Sequence, residues 1–229
     1  MHIIPTTTTT RAIALTLLAS VTAGCASLSN AEKGGLVGMA AGGAAGAAVG
    51  SKNGSTTKGA IIGAAVGGAA GAIIGARMDR QARELEQTIA GATVERVGEG
   101  IHVTFDSGIL FDFDSDILRP EARTNLRELA RSLHTYPGSD LLIVGHTDDI
   151  GTSSYNRDLS RRRAVAAVDY LIAQGVSRRT IDLRGLGEDE PVASNATEHG
   201  RQQNRRVEVA IFAGEELREQ ALRSAGRYE

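Results

Sequence analysis

The first third of the chain is patterned by glycine against small apolar residues. Glycine recurs every four residues at Gly34, Gly38, Gly42, Gly46 and Gly50, and again at Gly59, Gly63, Gly67, Gly71 and Gly75. The spaces hold mainly Ala, Val and Ile, and the polar stretch Ser51–Lys58, with its Asn-Gly step, reads as a turn. The second ladder repeats the first after 25 residues. A four-residue step keeps the glycines on one slowly wrapping helix face, where two backbones can approach closely. Each glycine is worse than Ala in a helix interior by about 0.8–1.0 kcal/mol, so packing or lipid must compensate. The pattern predicts a helical glycine-zipper hairpin over residues 34–76, associating with membrane, with itself, or with both. As a helix, each ladder is about 25 Å long, marginal for a hydrocarbon layer of about 30 Å.

Residues 77–98 are more charged. Arg77–Gln87 (RMDRQARELEQ) has helical character and reads as part of a solvated linker with no chemistry of its own. From there the pattern becomes that of a globular unit, placed at residues 99–213. Glu99–Phe105 alternates in strand fashion, with Ile101, Val103 and Phe105 on one face. Pro120 opens a helix whose stripe is Leu126, Leu129, Ala130 and Leu133, and Pro137-Gly138 stops it. Leu141–Val144 reads as a buried strand, Asn156–Gln174 as a second helix closed by Gly175. Ile181–Arg184 and Arg206–Phe212 supply further strands. The predicted class is α+β, with helices packed on a mixed sheet in a βαβαβ-type order. A tail, 214–229, follows and has helical character over Glu215–Tyr228.

Charge narrows the function. The 25 basic and 27 acidic side chains balance to −2, without a basic stripe, so no nucleic-acid partner is expected. The histidines, at 2, 102, 134, 146 and 199, show no metal-ligand spacing, and Gly-x-Ser-x-Gly is absent. Asp148 and Asp149 are adjacent and would diverge rather than converge on a bond. No catalytic centre, cofactor or metal is therefore expected.

The N-terminus reads as an export signal. Arg11 precedes the apolar run Ala12–Val21, too short to span a bilayer, and Ala23 and Gly24 lead into the single cysteine, Cys25. The order resembles a bacterial lipoprotein signal. That resemblance implies removal of residues 1–24, diacylation of Cys25 and a lipidated tether over 25–33. Ala26, where inner-membrane lipoproteins often carry Asp, points to the outer membrane, with the chain facing the periplasm.

In the globular unit, Phe111-Asp112-Phe113-Asp114-Ser115, Gly145-His146-Thr147-Asp148, Asn156, Leu159-Ser160, Arg163-Ala164, Pro191-Val192 and Asn204-Arg205-Arg206-Val207-Glu208 resemble the OmpA C-terminal domain. Ala167 stands where that family prefers Val. The resemblance implies a ligand, the diaminopimelate residue of the peptidoglycan stem peptide, whose side-chain end presents an ammonium beside a carboxylate. It implies that Asp148 accepts from the ammonium and that Arg163 takes the carboxylate with its planar fork, a geometry Lys cannot reproduce. Asn156, Ser160 and Arg163, at i, i+4 and i+7, share a helix face, and Asn156 can donate to and accept from peptide groups of the stem. Asp114 and Arg205 match family positions that wall the site. Asp148 and Arg163 are both expected at the surface, where the plain alternative is a solvated ion pair worth about 0–1 kcal/mol. Arg161, Arg162, Asp116 and Asp149 read as surface charge.

Together these features predict a non-catalytic outer-membrane lipoprotein that tethers the membrane to peptidoglycan. Two alternatives stay open. One is a periplasmic regulator that sequesters a partner protein. The other is a membrane-associated homo-oligomer built by the glycine ladders.

Overall fold

The structure, a computed structural model, describes residues 46–48, 50, 54–112 and 114–227. The signal, Cys25 with its tether, and Gly34, Gly38 and Gly42 lie outside the described residues. Among the described residues no helix is long and apolar enough to cross a membrane.

A five-stranded sheet has the order β1-β2-β5-β3-β4. Its strands are β1 (Ala92–Val97), β2 (Gly100–Asp106), β3 (Ser139–His146), β4 (Ile181–Gly187) and β5 (Arg206–Ala213). All neighbours are antiparallel except β3 and β4. That parallel pair requires a crossover, supplied by a 21-residue helix over Ser153–Ala173. The helices in chain order are α1 (Thr56–Gly63), α2 (Gly68–Thr88), α3 (Ser107–Leu110), α4 (Pro120–Thr135), α5 (Ser153–Ala173), α6 (Glu198–Asn204) and α7 (Glu215–Ala225). The predicted α+β class and mixed sheet are what the chain adopts.

Strand alternation sorts the two faces. Ile101, Val103 and Phe105 of β2, Leu141 and Ile143 of β3, and Val207, Val209 and Ile211 of β5 join the main core with α2, α4, α5 and α7. Leu142, Val144, Ala210 and Phe212 point the other way and pack on Ala47, Ala60, Ile61 and Ala64. The central strands β3 and β5 are thus buried on both faces, which is why Leu141–Val144 is an unbroken apolar run.

The glycine hairpin supplies that second cover. Residues 46–48 and 50 are helical and meet α1 glycine to glycine. A Cβ on Gly46 would lie 2.6 Å from the Gly63 Cα, and one on Gly50 2.7 Å from the Gly59 Cα, so only hydrogen fits. The second ladder is not one helix. It breaks at Gly67 and Gly68, both at positive φ, and the Glu99 carboxylate accepts there from Val66 N at 2.8 Å and Gly67 N at 2.7 Å.

Three expectations are corrected. The stretch 77–98 is no solvated linker: it holds the second half of α2 and all of β1, and Met78, Ala82 and Leu85 are in the core. Its charges occupy the outer face of an amphipathic helix, which hides the stripe in the composition. The tail 214–229 is likewise mostly α7, whose Leu217 and Ala221 are in the same core. The globular unit therefore runs beyond 99–213 at both ends. Glu99 is not the first strand residue but the acceptor for the break before α2.

Candidate functional site

The C-terminal end of β3 and the N-terminal half of α5 build the site. The helix α5 can pack closely on β3 and on its neighbour β4 because Gly145 of β3 and Gly185 of β4 carry no side chain: a Cβ on Gly145 would lie 2.9 Å from the Ser160 carbonyl carbon, and one on Gly185 2.5 Å from the Arg161 Cα. Past β3, Thr147 N donates to the Gly187 carbonyl at 2.9 Å. Asp148 follows, and its Oδ1 accepts from Ile150 N at 3.1 Å, turning the chain towards α5. The Thr152 side chain then caps α5 by accepting from Tyr155 N.

The i, i+4, i+7 set on α5 points inward, and its members do different things. Asn156 donates from Nδ2 to the Asp148 carbonyl at 3.2 Å and to Glu188 Oε2 at 2.6 Å. Its Oδ1 accepts no hydrogen bond among the described residues. Ser160 is fully occupied with structure: its hydroxyl donates to the Arg157 carbonyl and accepts from Gly187 N, both at 2.9 Å. Arg163 donates from Nε to the Ser115 carbonyl at 2.9 Å, and its guanidinium lies 5.3 Å from the centroid of the Phe111 ring. The two terminal nitrogens of its fork have no hydrogen-bond partner among the described residues.

Asp148, Asn156, Arg163, Asp114 and Arg205 all line one cavity of about 600 Å³, with Phe111, Ile150, Tyr155, Leu159 and Glu198 among the other walls. Asp114 is the one described non-glycine residue at positive φ (+54°), a turn conformation that Asp tolerates better than most side chains. Its carboxylate accepts from the Tyr155 hydroxyl, tying the 111–118 loop to α5. Arg205, at the end of α6, donates to Asp148 Oδ2 at 2.6 Å and to Glu198 Oε1 at 2.7 Å.

Two expectations about exposure are corrected. Asp148 is only 8% exposed and Arg163 only 5%, so neither is a surface residue. The residues that bury them come from distant segments, and a charge reads as exposed unless its partners are known. Burial lowers the Arg163 pKa from its ordinary value, against the opposing pull of Asp114, Tyr155, Asp116 and Asp148. Partial burial also opposes the Arg205 charge, but its bonds to Asp148 and Glu198 outweigh this and raise its pKa. The ion pair in the structure is Asp148 with Arg205, not Asp148 with Arg163.

The site thus offers a buried carboxylate steadied by a cation, a buried guanidinium whose fork is free among the described residues, and an amide oxygen between them in sequence. Arg161 and Arg162 lie on the exposed side of α5, where Arg162 sits 3.5 Å from Asp116. Sequence reasoning missed Tyr155, Glu188 and Glu198. Tyr155 adjoins Asn156, but nothing in the spacing marks a pairing with Asp114. Among the described residues no group of His, Cys, Asp or Glu is arranged to hold a metal ion.

The OmpA family model matches residues 110–205, which include every residue of the site named above. The chain carries an OmpA family domain. A second model, the YMGG-like Gly-zipper, matches residues 8–79. Outer membrane protein A of Bordetella avium is 41% identical over 109 residues, covering 48% of this chain and 56% of that protein. Probable lipoprotein YiaD of Escherichia coli (strain K12) is 36% identical over 136 residues, covering 58% of this chain and 62% of that protein. The chain therefore spans less than two thirds of either relative. Among solved structures, the cell wall anchor of the T6SS from Pseudomonas aeruginosa is similar at 34% identity and a TM-score of 0.53, covering 59% of this chain and 99% of that one.

Proposed function

We propose that this chain is a non-catalytic peptidoglycan-binding lipoprotein that tethers the outer membrane to the cell wall from the periplasmic side. The observation that carries this reading is the presence of two buried opposite charges, Asp148 and Arg163, in one cavity, with the terminal nitrogens of Arg163 free of hydrogen bonds among the described residues. A ligand satisfying both needs an ammonium and a carboxylate close together. The free end of a diaminopimelate side chain is such a group. Its carboxylate would take the two parallel bonds an Arg fork offers, and its ammonium would donate to Asp148. The Asn156 Oδ1 would accept from a peptide N–H of the stem.

The kinship supports the same reading. The cell wall anchor from Pseudomonas aeruginosa is similar in fold at 34% identity, and the relatives include ones named as an outer membrane protein and a probable lipoprotein. Cys25, proposed as the lipid attachment point, completes the tether. An oligomer built by the ladders is less favoured, because Gly46, Gly50, Gly59 and Gly63 already pack against one another within the chain.

Co-sedimentation with isolated sacculi tests the proposal. The wild-type chain should pellet with the wall and release no soluble fragments from it. Asp148→Asn with Arg163→Lys should remain in the supernatant. Pelleting of that double variant at the wild-type level would refute the site. Release of muropeptides would refute the non-catalytic reading.

A further inference from the structure

On the far side of the sheet from the main core, the first turn of α1 meets buried charge. Thr56 donates from N to Glu190 Oε2 at 3.1 Å and from Oγ1 to Glu190 Oε1 at 2.5 Å. Thr57 donates from its hydroxyl to Glu208 Oε2, which also lies 3.1 Å from His102 Nε2. Both threonines are fully buried, and Glu190 and Glu208 are about 5% and 4% exposed. Burying carboxylates is tolerable only when their oxygens are hydrogen-bonded. Glu208 has Arg206 as well, whose Nε donates to it at 2.7 Å. The two Glu190 oxygens have Thr56 alone among the described residues.

Glu190 is the last of three consecutive acidic residues that follow β4, and each reaches a different element. Glu188 holds the Asn156 amide at 2.6 Å, Asp189 accepts from Arg157 Nη2 at 2.6 Å, and Glu190 holds α1. The stretch is pinned where it begins, because Gly187 N donates to Ser160 Oγ. It is pinned where it ends, because the Glu190 carbonyl accepts from Arg206 Nη2 at 3.1 Å. Between those pins, one residue separates a contact with the cavity from a contact with the glycine hairpin. Asn156 in turn donates to the carbonyl of Asp148. A short path therefore runs by hydrogen bond from Thr56 to Glu190, along the backbone through Asp189 to Glu188, and by hydrogen bonds through Asn156 to the Asp148 carbonyl.

We propose that α1 of the glycine hairpin is a positioning element for the stem-peptide cavity, acting through the Glu188–Asp189–Glu190 loop. This rests on the function proposed above. With α1 seated, Glu190 is satisfied in place, and Glu188 holds Asn156 ready for the ligand. With α1 lifted off, the Glu190 carboxylate loses both Thr56 donors and turns to water, which draws its carbonyl off Arg206 Nη2 and releases that end of the loop, so that Glu188 leaves Asn156. The two sites are then coupled, and coupling is reciprocal: a bound stem peptide must also hold α1 down. The hairpin next to the membrane-proximal part of the chain would thereby report on wall attachment.

The test uses the full chain in detergent, titrated with a diaminopimelate-containing stem tripeptide, with hydrogen exchange read over residues 56–63, 147–150 and 188–190. Thr56→Val should speed exchange in α1, speed it also at 188–190 and 147–150, and weaken the tripeptide about tenfold, within the usual span of coupling. Thr56→Ser, which keeps the hydroxyl, should restore all three. In the wild-type chain, saturating tripeptide should slow exchange in α1. The proposal falls if Thr56→Val frees α1 while exchange at 188–190 and 147–150 and the tripeptide affinity stay within twofold of wild type. It falls equally if α1 exchange ignores saturating tripeptide. If the wild-type chain binds no tripeptide, the function proposed above fails, and unchanged exchange at 147–150 and 188–190 in Thr56→Val then separately overturns the coupling. Should Thr56→Val unfold the chain, Glu190→Gln gives the same readouts from the other end of the bond.

Discussion

Arg205 and Asp148 are joined at 2.6 Å across the wall of the cavity, although 57 residues separate them in sequence. The carboxylate proposed to meet a ligand ammonium is therefore already held, Oδ2 by Arg205 and Oδ1 by the Ile150 amide. An ionised carboxylate has about four acceptor positions, so capacity remains for a third donor. Arg205 itself is shared with Glu198, whose Oε1 accepts from its Nη2 at 2.7 Å.

Arg205→Ala should weaken stem-peptide binding, because Asp148 loses the bond that fixes its Oδ2. Leaving a buried polar acceptor unsatisfied costs on the order of 1–3 kcal/mol, and more for a charged one, so the melting temperature should also fall. Calorimetric titration and a thermal melt check both. Tighter binding by Arg205→Ala would mean that the arginine competes with the ligand instead of preparing its partner.

Arg163→Lys separates charge from geometry. A lysine keeps the positive charge but cannot offer two parallel bonds while also donating to the Ser115 carbonyl. Binding of the tripeptide should fall by tenfold or more, roughly the worth of one charge-assisted bond. Arg163→Ala should lose binding as well and destabilise the fold further, since it also vacates the face of Phe111. Equal affinity of wild type and Arg163→Lys would remove the fork from the mechanism.

Gly59→Ala decides whether the hairpin packs as described. Intrinsic propensity alone favours Ala in a helix by about 0.8–1.0 kcal/mol. The added Cβ would lie 2.5 Å from the Gly50 Cα, and such overpacking costs typically 1–3 kcal/mol. The expected net outcome is faster hydrogen exchange in α1 and a lower melting temperature. Slower exchange would show that the two helices do not meet there.

His146 should make the fold acid-sensitive. It is buried in β3, neither ring nitrogen is hydrogen-bonded among the described residues, and burial with nearby Arg206 lowers its pKa to about 3. An unfolded histidine titrates near 6.5, so below that the unfolded state binds more protons than the folded one. The contribution is complete above about pH 6.5 and is lost as pH falls towards about 3, by at most about 1.4 kcal/mol per unit. Glu208 acts in the same direction at lower pH. Burial works against its charge, but the His102 hydrogen bond and Arg206 hold its carboxyl well below the usual range. Denaturant unfolding between pH 7 and 4.5 should show a shallower slope for His146→Leu than for wild type. Parallel slopes would contradict the burial argument.

The sequence carried the frame of the site further than its partners. The alternation at Ile101, Val103 and Phe105, the stripe ending at Leu133 and the spacing of Asn156, Ser160 and Arg163 are local, and each is set by the period of its own element. The motif spacing was enough to collect Asp114, Asp148, Asn156, Arg163 and Arg205, which the fold brings to one cavity. What stayed hidden is long-range. Thr56 and Glu190 are 134 residues apart, Thr57 and Glu208 151, and no periodicity links them. Met78, Ala82 and Leu85 do carry a helical stripe, but the arginines and glutamates around them make the same stretch read as a solvated linker. Burial of Arg163 depends on the Ser115 carbonyl and the Phe111 ring, which sit on a loop far from α5 in sequence.

The most direct measurement compares two ligands that differ by one carboxylate. The wild-type chain is titrated with a stem tripeptide bearing diaminopimelate and with the same tripeptide bearing lysine in its place. If Asp148 and Arg163 grip the two ends of one side chain, the diaminopimelate peptide binds at least tenfold more tightly, and Arg163→Lys erases most of that difference. Equal affinity for both peptides, unchanged by Arg163→Lys, would contradict the grip.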